Sequence, residues 1–301
     1  MRDAFVHTLA KMARLDPKIL LITGDLGFGV LEDFANEFPT QFINAGVAEQ
    51  SMMGLAAGLA STGKRVFVYS IGNFPTVRCL EQIRNDVCSM NNSVVVVSVG
   101  AGYAYGPQGY THHAIEDIAV MRALPNMEIL SPCDPAETII LTEQLAKSRN
   151  PAYLRLGKSK ETQIHDSPPK MPNGKFIPLA EGEQGTIIFT GSIGVVAKEA
   201  RDVLLKRKIS IGLFSAPFIS NIDTDLLERR ANLGPIVIVE EHALRGGFGS
   251  AILEALVVRR IQADIRLVFA SQENLALIGD QTYLREQNGI TVINIVKHFI
   301  S

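Results

Sequence analysis

Glu49 is where this chain offers proton chemistry. It closes the phrase Phe42-Ile43-Asn44-Ala45-Gly46-Val47-Ala48-Glu49, which reads as a short strand, a turn from Asn44 to Gly46 and the start of a helix. After Gln50 that helix is nearly all small or apolar, Ser51-Met52-Met53-Gly54-Leu55-Ala56-Ala57-Gly58-Leu59-Ala60, which predicts burial on most sides. Gly54 and Gly58 share one face and permit close approach of another backbone. Taken alone, Glu49 is a first-turn glutamate favoured by the helix dipole. In a dry site a carboxyl group can instead serve in acid–base work.

Other side chains have a chemical and a plain reading. Asp25 follows an apolar run and stands before Leu26-Gly27, as a turn aspartate does. His112 and His113 sit in a Gly/Tyr-rich loop, where histidine can donate to a developing alkoxide or exchange a proton near neutral pH. Adjacent loop histidines are more often simply solvent-exposed. Arg2 and Arg155 can bind a phosphate or carboxylate bidentately, although surface arginine is the default. Gly100, Gly102 and Gly106 after a β-run imitate a dinucleotide-binding turn, but Pro107 and Gly109 interrupt the helix that should follow. Gly246-Gly247-Phe248-Gly249 could cradle a phosphate at a helix start. Cys79, Cys88 and Cys133 have neither CxxC nor Cys/His metal spacing and read as reduced thiols of a cytoplasmic protein.

These residues need a scaffold, and the chain alternates strand and helix signals. Residues 3–15 have helical spacing. Strands are expected at Lys18–Thr23, Arg65–Ser70, Ser93–Val99, Met127–Leu130 and Ala152–Leu156, and helices near Thr76–Met90, Ile115–Arg122 and Pro135–Ala146. Asp166-Ser167-Pro168-Pro169-Lys170-Met171-Pro172-Asn173-Gly174 is a linker by composition. Strands at Thr186–Phe189, Ile209–Phe214, Pro235–Glu240 and Ile265–Phe269 follow, with helices near Val195–Lys206, Asp223–Ala231 and Gly249–Ile261. The reading is two α/β domains with mostly parallel sheets, 1–160 and 181–301, joined by a linker over 161–180. A chain of 301 residues with 47% apolar and 20% charged residues is ordinary for such a protein. A net charge of −2 gives no reason to expect nucleic acid or an anionic membrane as partner. No apolar run reaches the ~18 residues of a membrane span.

The phrase Gly46-Val47-Ala48-Glu49-Gln50 resembles the segment that carries the cofactor-activating glutamate in the transketolase family of thiamine-diphosphate enzymes. The likeness extends to Leu21-Ile22-Thr23-Gly24-Asp25-Leu26, to Gly106–Asp117 and to the ending Glu240-Glu241-His242 through Gly246-Gly247-Phe248-Gly249. It spans essentially the whole chain, but only the pyrimidine-binding and carboxyl-terminal domains of a full-length transketolase. The family's Gly-Asp-Gly…Asn motif, which holds Mg²⁺ and the diphosphate, does not occur; Gly24-Asp25-Leu26 and Gly279-Asp280-Gln281 both miss it. The resemblance therefore implies the carboxyl-terminal subunit of a split transketolase. Its amino-terminal partner would bring Mg²⁺ and the diphosphate site in an α2β2 assembly, and a two-carbon ketol unit would pass between sugars or sugar phosphates.

Residue by residue, the resemblance gives Glu49 the hydrogen bond to the aminopyrimidine and places Asp25, Phe74 and Arg78 near the cofactor. Plainly read, Phe74 is a core residue and Arg78 an exposed helix residue. Arg78 looks like an arginine of 1-deoxyxylulose-5-phosphate synthases. His112 takes the position of a substrate-facing histidine, with His113 secondary, and Arg2 that of a phosphate-binding arginine. Gln108 and Gly100 depart from the family, which carries an aspartate and a histidine at those places, and this puts ordinary pentose phosphates in doubt. Two other enzyme readings stay open: acyloin formation from pyruvate, and a 2-oxoacid dehydrogenase β subunit. A non-catalytic partner or dinucleotide-binding protein is the rival outside this enzyme class.

Overall fold

In the computed structural model, which describes residues 1–158, 161–273 and 275–300, the apolar runs of the first half form one six-stranded sheet. Its strands are β1 (Ile19–Thr23), β2 (Phe42–Asn44), β3 (Arg65–Ile71), β4 (Val94–Val99), β5 (Glu128–Leu130) and β6 (Ala152–Leu156). They lie in the order β2-β1-β3-β4-β6-β5, every pair parallel. Unbroken apolar runs fit here because both faces are covered. Val66 and Val68 pack with Met52 and Met53 on one side, while Phe67 and Tyr69 pack with Phe5 and Leu9 on the other.

The covering helices are α1 (Arg2–Leu15), α2 (Glu32–Glu37), α3 (Glu49–Ser61), α4 (Leu80–Gln82), α5 (Asp117–Arg122) and α6 (Pro135–Lys147). The segment expected as one helix over 76–90 is a composite: a 3₁₀ turn (Val77–Cys79), α4, then a π-helical run (Ile83–Cys88). α3 departs from its expected burial. Met52, Met53, Ala56, Ala57 and Ala60 are covered, but Gly54, Leu55 and Gly58 face outward. The helix is apolar all round, whereas the sheet covers only one side of it.

The second half builds β7 (Ile177–Ala180), β8 (Thr186–Phe189), β9 (Gly212–Ser215), β10 (Ile236–Ala243) and β11 (Ile265–Ala270), ordered β11-β10-β8-β9-β7. All pairs are parallel except β7, which runs antiparallel to β9. The helices are α7 (Gly194–Lys206), α8 (Thr224–Arg230), α9 (Phe248–Arg259), α10 (Gln281–Gln287) and α11 (Val292–Ile300). β7 lies in the proline-rich stretch that reads as linker; at a sheet edge Pro178 is tolerated, so composition conceals a strand. The short helices α2, α10 and α11 are likewise not among the expected elements.

Strand order fixes where a ligand would sit. The chain leaves β1 toward β2 on one side and returns to β3 on the other, so the crevice of this sheet opens at the carboxyl ends of β1 and β3.

Candidate active site

The turn before Glu49 is knit to the end of β1. Asn44 Oδ1 accepts the N–H groups of Asp25 (2.9 Å) and Gly46 (3.0 Å), and Asn44 Nδ2 donates to Asp25 Oδ1 at 3.0 Å. Asp25 holds a left-handed conformation (φ 56°), which aspartate tolerates, and is exposed. Glu49 then opens α3 with only 4% of its surface exposed. Arg78 Nη1 donates to Glu49 Oε2 at 2.8 Å. Glu49 Oε1 accepts no hydrogen bond from the described residues. Arg78 is half-exposed, so the pair is solvated on one side only. Its guanidinium lies 4.5 Å from the centroid of the Phe74 ring, a cation–π contact. Phe74 meets His112 edge-on at 5.2 Å. Glu49, Arg78, Phe74 and His112 thus touch in series, carried by segments that follow β2, β3 and β4. Behind them, burial and then the Glu49 charge push the Cys79 thiol up to about 12.

The loop after β4 sets the two histidines apart. Gly100 (φ 97°) leaves room for the Tyr105 ring, which stands where a side chain at position 100 would begin. His112 is partly exposed, with Nδ1 3.0 Å from Thr111 Oγ1. His113 turns inward; its Nε2 lies 3.3 Å from the Gly106 carbonyl oxygen and its ring meets Tyr103 edge-on at 5.2 Å. Burial holds the His113 imidazole below its ordinary pKa. Gln108 is exposed on the same loop.

Arg155 requires a correction. It sits inside β6, 2% exposed, with Nε 2.7 Å from Asp117 Oδ2 and Nη2 donating to the carbonyls of Ala114 (2.7 Å) and Glu241 (3.1 Å). Tyr153 donates its hydroxyl to the same Asp117 oxygen at 2.5 Å. Burial alone would raise the Asp117 carboxyl, but the Arg155 charge together with His242 and the hydrogen bonds from Arg155 and Tyr153 outweighs it and holds the pKa below the ordinary value. Arg155 is therefore a buried structural cation, out of reach of a substrate. An exposed cation among the described residues is Lys158, just beyond the end of β6, with Nζ 4.8 Å from the Tyr105 ring centroid. Residue type and spacing do not single it out; the available signal is its place after a strand's carboxyl end rather than within the strand. The backbone N–H of Arg2 donates to the Lys158 carbonyl at 3.2 Å, and the Arg2 guanidinium is engaged by Asp3 at 3.0 Å.

Two further groups are internally satisfied. Glu240 accepts the N–H groups of Phe248 (2.7 Å) and Gly249 (2.8 Å), so the protein's own carboxyl fills the start of α9 where an anion could bind. Cys133, Glu137 and His165 lie close together and buried. Glu137 Oε2 accepts the Cys133 N–H at 2.8 Å, and Oε1 lies 2.9 Å from His165 Nε2. Their Cys/His donors are not the all-oxygen set that Mg²⁺ takes.

Comparison with known proteins agrees along the chain. The family described as "Transketolase, pyrimidine binding domain" matches residues 1–162, and "Transketolase, C-terminal domain" matches residues 174–292. One of the subunits of an apulose-4-phosphate transketolase from Phocaeicola vulgatus is 35% identical over 277 residues, covering 91% of this chain and 88% of that one. A putative transketolase C-terminal section of Methanocaldococcus jannaschii is 36% identical over 260 residues, 85% and 81% of the two chains. A 1-deoxy-D-xylulose-5-phosphate synthase of Heliobacterium modesticaldum is 31% identical over 299 residues, 98% of this chain but 46% of the synthase. Among solved structures, a split gene transketolase described as an inactive beta4 tetramer superposes with a TM-score of 0.88 at 32% identity, covering 99% of this chain and 96% of that one.

Proposed function

The chain belongs to the transketolase family, and from that premise we propose that it is the carboxyl-terminal subunit of a split transketolase. In this reading it transfers a two-carbon ketol unit between sugars, with thiamine diphosphate as cofactor. The observation that carries the reading is the Glu49 carboxylate, buried at the head of α3 with Oε2 held by Arg78 and Oε1 left open. A buried acceptor of this kind fits a protonated ring nitrogen of the aminopyrimidine. Phe74 and Arg78 would flank that ring, and Asp25 stands at the rim of the same crevice. When bound, the cofactor supplies carbanion stabilisation, and the protein supplies orientation and charge.

His112 is the group toward the substrate, with His113 holding the loop from inside and Gln108 at its outer end. Lys158 and Arg2, adjoining through one backbone bond, are the candidates for an anionic substrate group. Mg²⁺ and the diphosphate fall to an amino-terminal partner subunit, and two copies of each chain complete the enzyme.

Co-expression with an amino-terminal partner, followed by an assay of ketol transfer from a panel of ketoses, tests the proposal. Transfer activity only when both chains are present is the expected result. The likeness to the synthases, together with Arg78, favours acyloin formation from pyruvate as the second reading. Turnover confined to pyruvate and an aldose phosphate would replace the first reading with that one.

A further inference from the structure

The loop that carries His112 is held from the second domain. Glu241, in β10, is 3% exposed, and its Oε1 accepts the backbone N–H of Tyr103 at 2.7 Å. Behind it stand two donors of α10. Gln281 Nε2 lies 3.0 and 3.1 Å from the two carboxylate oxygens, and Arg285 donates Nε to Oε2 at 2.9 Å, with Nη2 bonded to the same oxygen. Gly102 makes room for this approach: its φ is 62°, and a side chain there would begin 2.6 Å from Glu241 Cγ.

The hold is passed along the loop. Gly102 and Ala114 exchange backbone hydrogen bonds, each 2.9 Å, so fixing residues 102–103 also fixes residue 114. The Ala243 N–H donates to the Ile115 carbonyl at 2.8 Å, and Gln272 Nε2 donates to Glu116 Oε1 at 3.0 Å. These polar contacts from the second domain fall at the two ends of the segment. His112 lies between them, partly exposed and turned to Phe74.

We propose that Glu241 is a positioning residue for the transfer reaction, holding Tyr103 N–H so that the loop presents His112 beside Phe74, with Arg285 and Gln281 keeping the carboxylate in place. The inference rests on the reading of His112 as the substrate-facing group. A charged acceptor bonds a buried N–H about twice as strongly as a neutral one. A buried N–H with no acceptor is itself unfavourable, so the loop without Glu241 shifts to a more open arrangement.

The test uses the whole chain and the assembled enzyme. Chymotrypsin reports on the loop, which contains Tyr103, Tyr105 and Tyr110. Glu241→Ala is expected to speed cleavage within residues 103–110 by about tenfold or more and to lower kcat of the assembled enzyme about tenfold, with cofactor affinity unchanged. Glu241→Gln keeps an acceptor for Tyr103 and is expected to fall between alanine and wild type in both measurements. Arg285→Gln, which leaves the carboxylate in place with a weaker partner, gives a second route should Glu241→Ala fail to fold, and is expected to shift both readings in the same direction. Unchanged loop protection, or a loosened loop with undiminished kcat, overturns the proposal. His112→Asn assayed in parallel separates it from its premise: normal turnover in that variant would remove the reading of His112, while cleavage would still report whether Glu241 holds the loop.

Discussion

Glu49 meets two demands that pull against each other. In the proposed role it must stay buried and also remain a proton acceptor for a ligand; one oxygen is bonded to Arg78 and the other is left open. Glu49→Gln preserves the shape but not the acceptor. Because an acid–base group contributes about 10²–10⁴-fold, a loss of that order is expected in turnover of the assembled enzyme. Exchange of the proton on the cofactor's thiazolium carbon should slow in parallel. Arg78 is half-exposed and can return to water, so the melting temperature of the chain should shift little. Near-normal exchange and turnover would reduce Glu49 to an ordinary helix-start glutamate. The Gly100 position bears on specificity: Tyr105 fills the space, and no imidazole can stand there to meet a sugar hydroxyl. A buried hydroxyl without its partner costs about 1–3 kcal/mol. Xylulose 5-phosphate and ribose 5-phosphate are therefore expected to be poor substrates, and efficient turnover of that pair in a coupled assay would contradict this.

At the scale of elements, α3 is the informative case. Gly54 and Gly58 sit mid-helix on its outer side, and among the described residues nothing beyond the local helix backbone lies within 4 Å of where their side chains would start. A helical glycine is about 0.5–1 kcal/mol less favourable than alanine, so Gly58→Ala is expected to stabilise the isolated chain by about that amount in urea titration. A loss of stability would mean that the outer face is already occupied. β6 teaches a related point. Arg155 lies inside a strand covered on both sides, where a cation survives only with partners, and it has Asp117 and two carbonyls. Position 158, past the strand end, is free to meet solvent.

At the scale of the molecule, the two domains meet through a buried polar layer that includes Asp117, Arg155, Glu241 and His242. The His242 ring has Nδ1 2.7 Å from the Ala243 carbonyl oxygen, and its Nε2 accepts the Ile118 N–H at 3.2 Å, so the neutral ring satisfies both contacts. Burial lowers its pKa from 6.5 to about 4. Between those values the unfolded chain takes up a proton at this ring that the native chain refuses, so the contribution of His242 to stability falls as pH falls from 6.5 toward 4, while Glu240, raised by burial to about 8, contributes in the opposite sense. The loss is on the order of 3 kcal/mol, at about 1.4 kcal/mol per pH unit. Urea titrations across that range should show the stability of wild type relative to His242→Asn, which cannot titrate, declining by that amount as pH falls. An unchanged slope in the variant would assign the acid sensitivity to other groups. A second expectation concerns self-sufficiency: calorimetry of the chain alone with Mg²⁺ and thiamine diphosphate should show no tight binding. Micromolar affinity without a partner would exclude the split-enzyme reading.

The sequence by itself determined the inner strands, the long helices and Glu49 at the head of α3, because apolar period and turn chemistry are local properties. It also determined the family resemblance that the comparisons bear out. Only the tertiary structure decided the rest. That Arg78, Phe74 and His112 follow one another in contact from Glu49 depends on strand order, which no local pattern encodes. β7 was hidden because an edge strand tolerates the prolines of a linker. The exposure of α3, the burial of Arg155 and the reach of Glu241 to Tyr103 all depend on which surfaces a second element covers. An apolar or charged residue carries no record of that partner until the chain has folded.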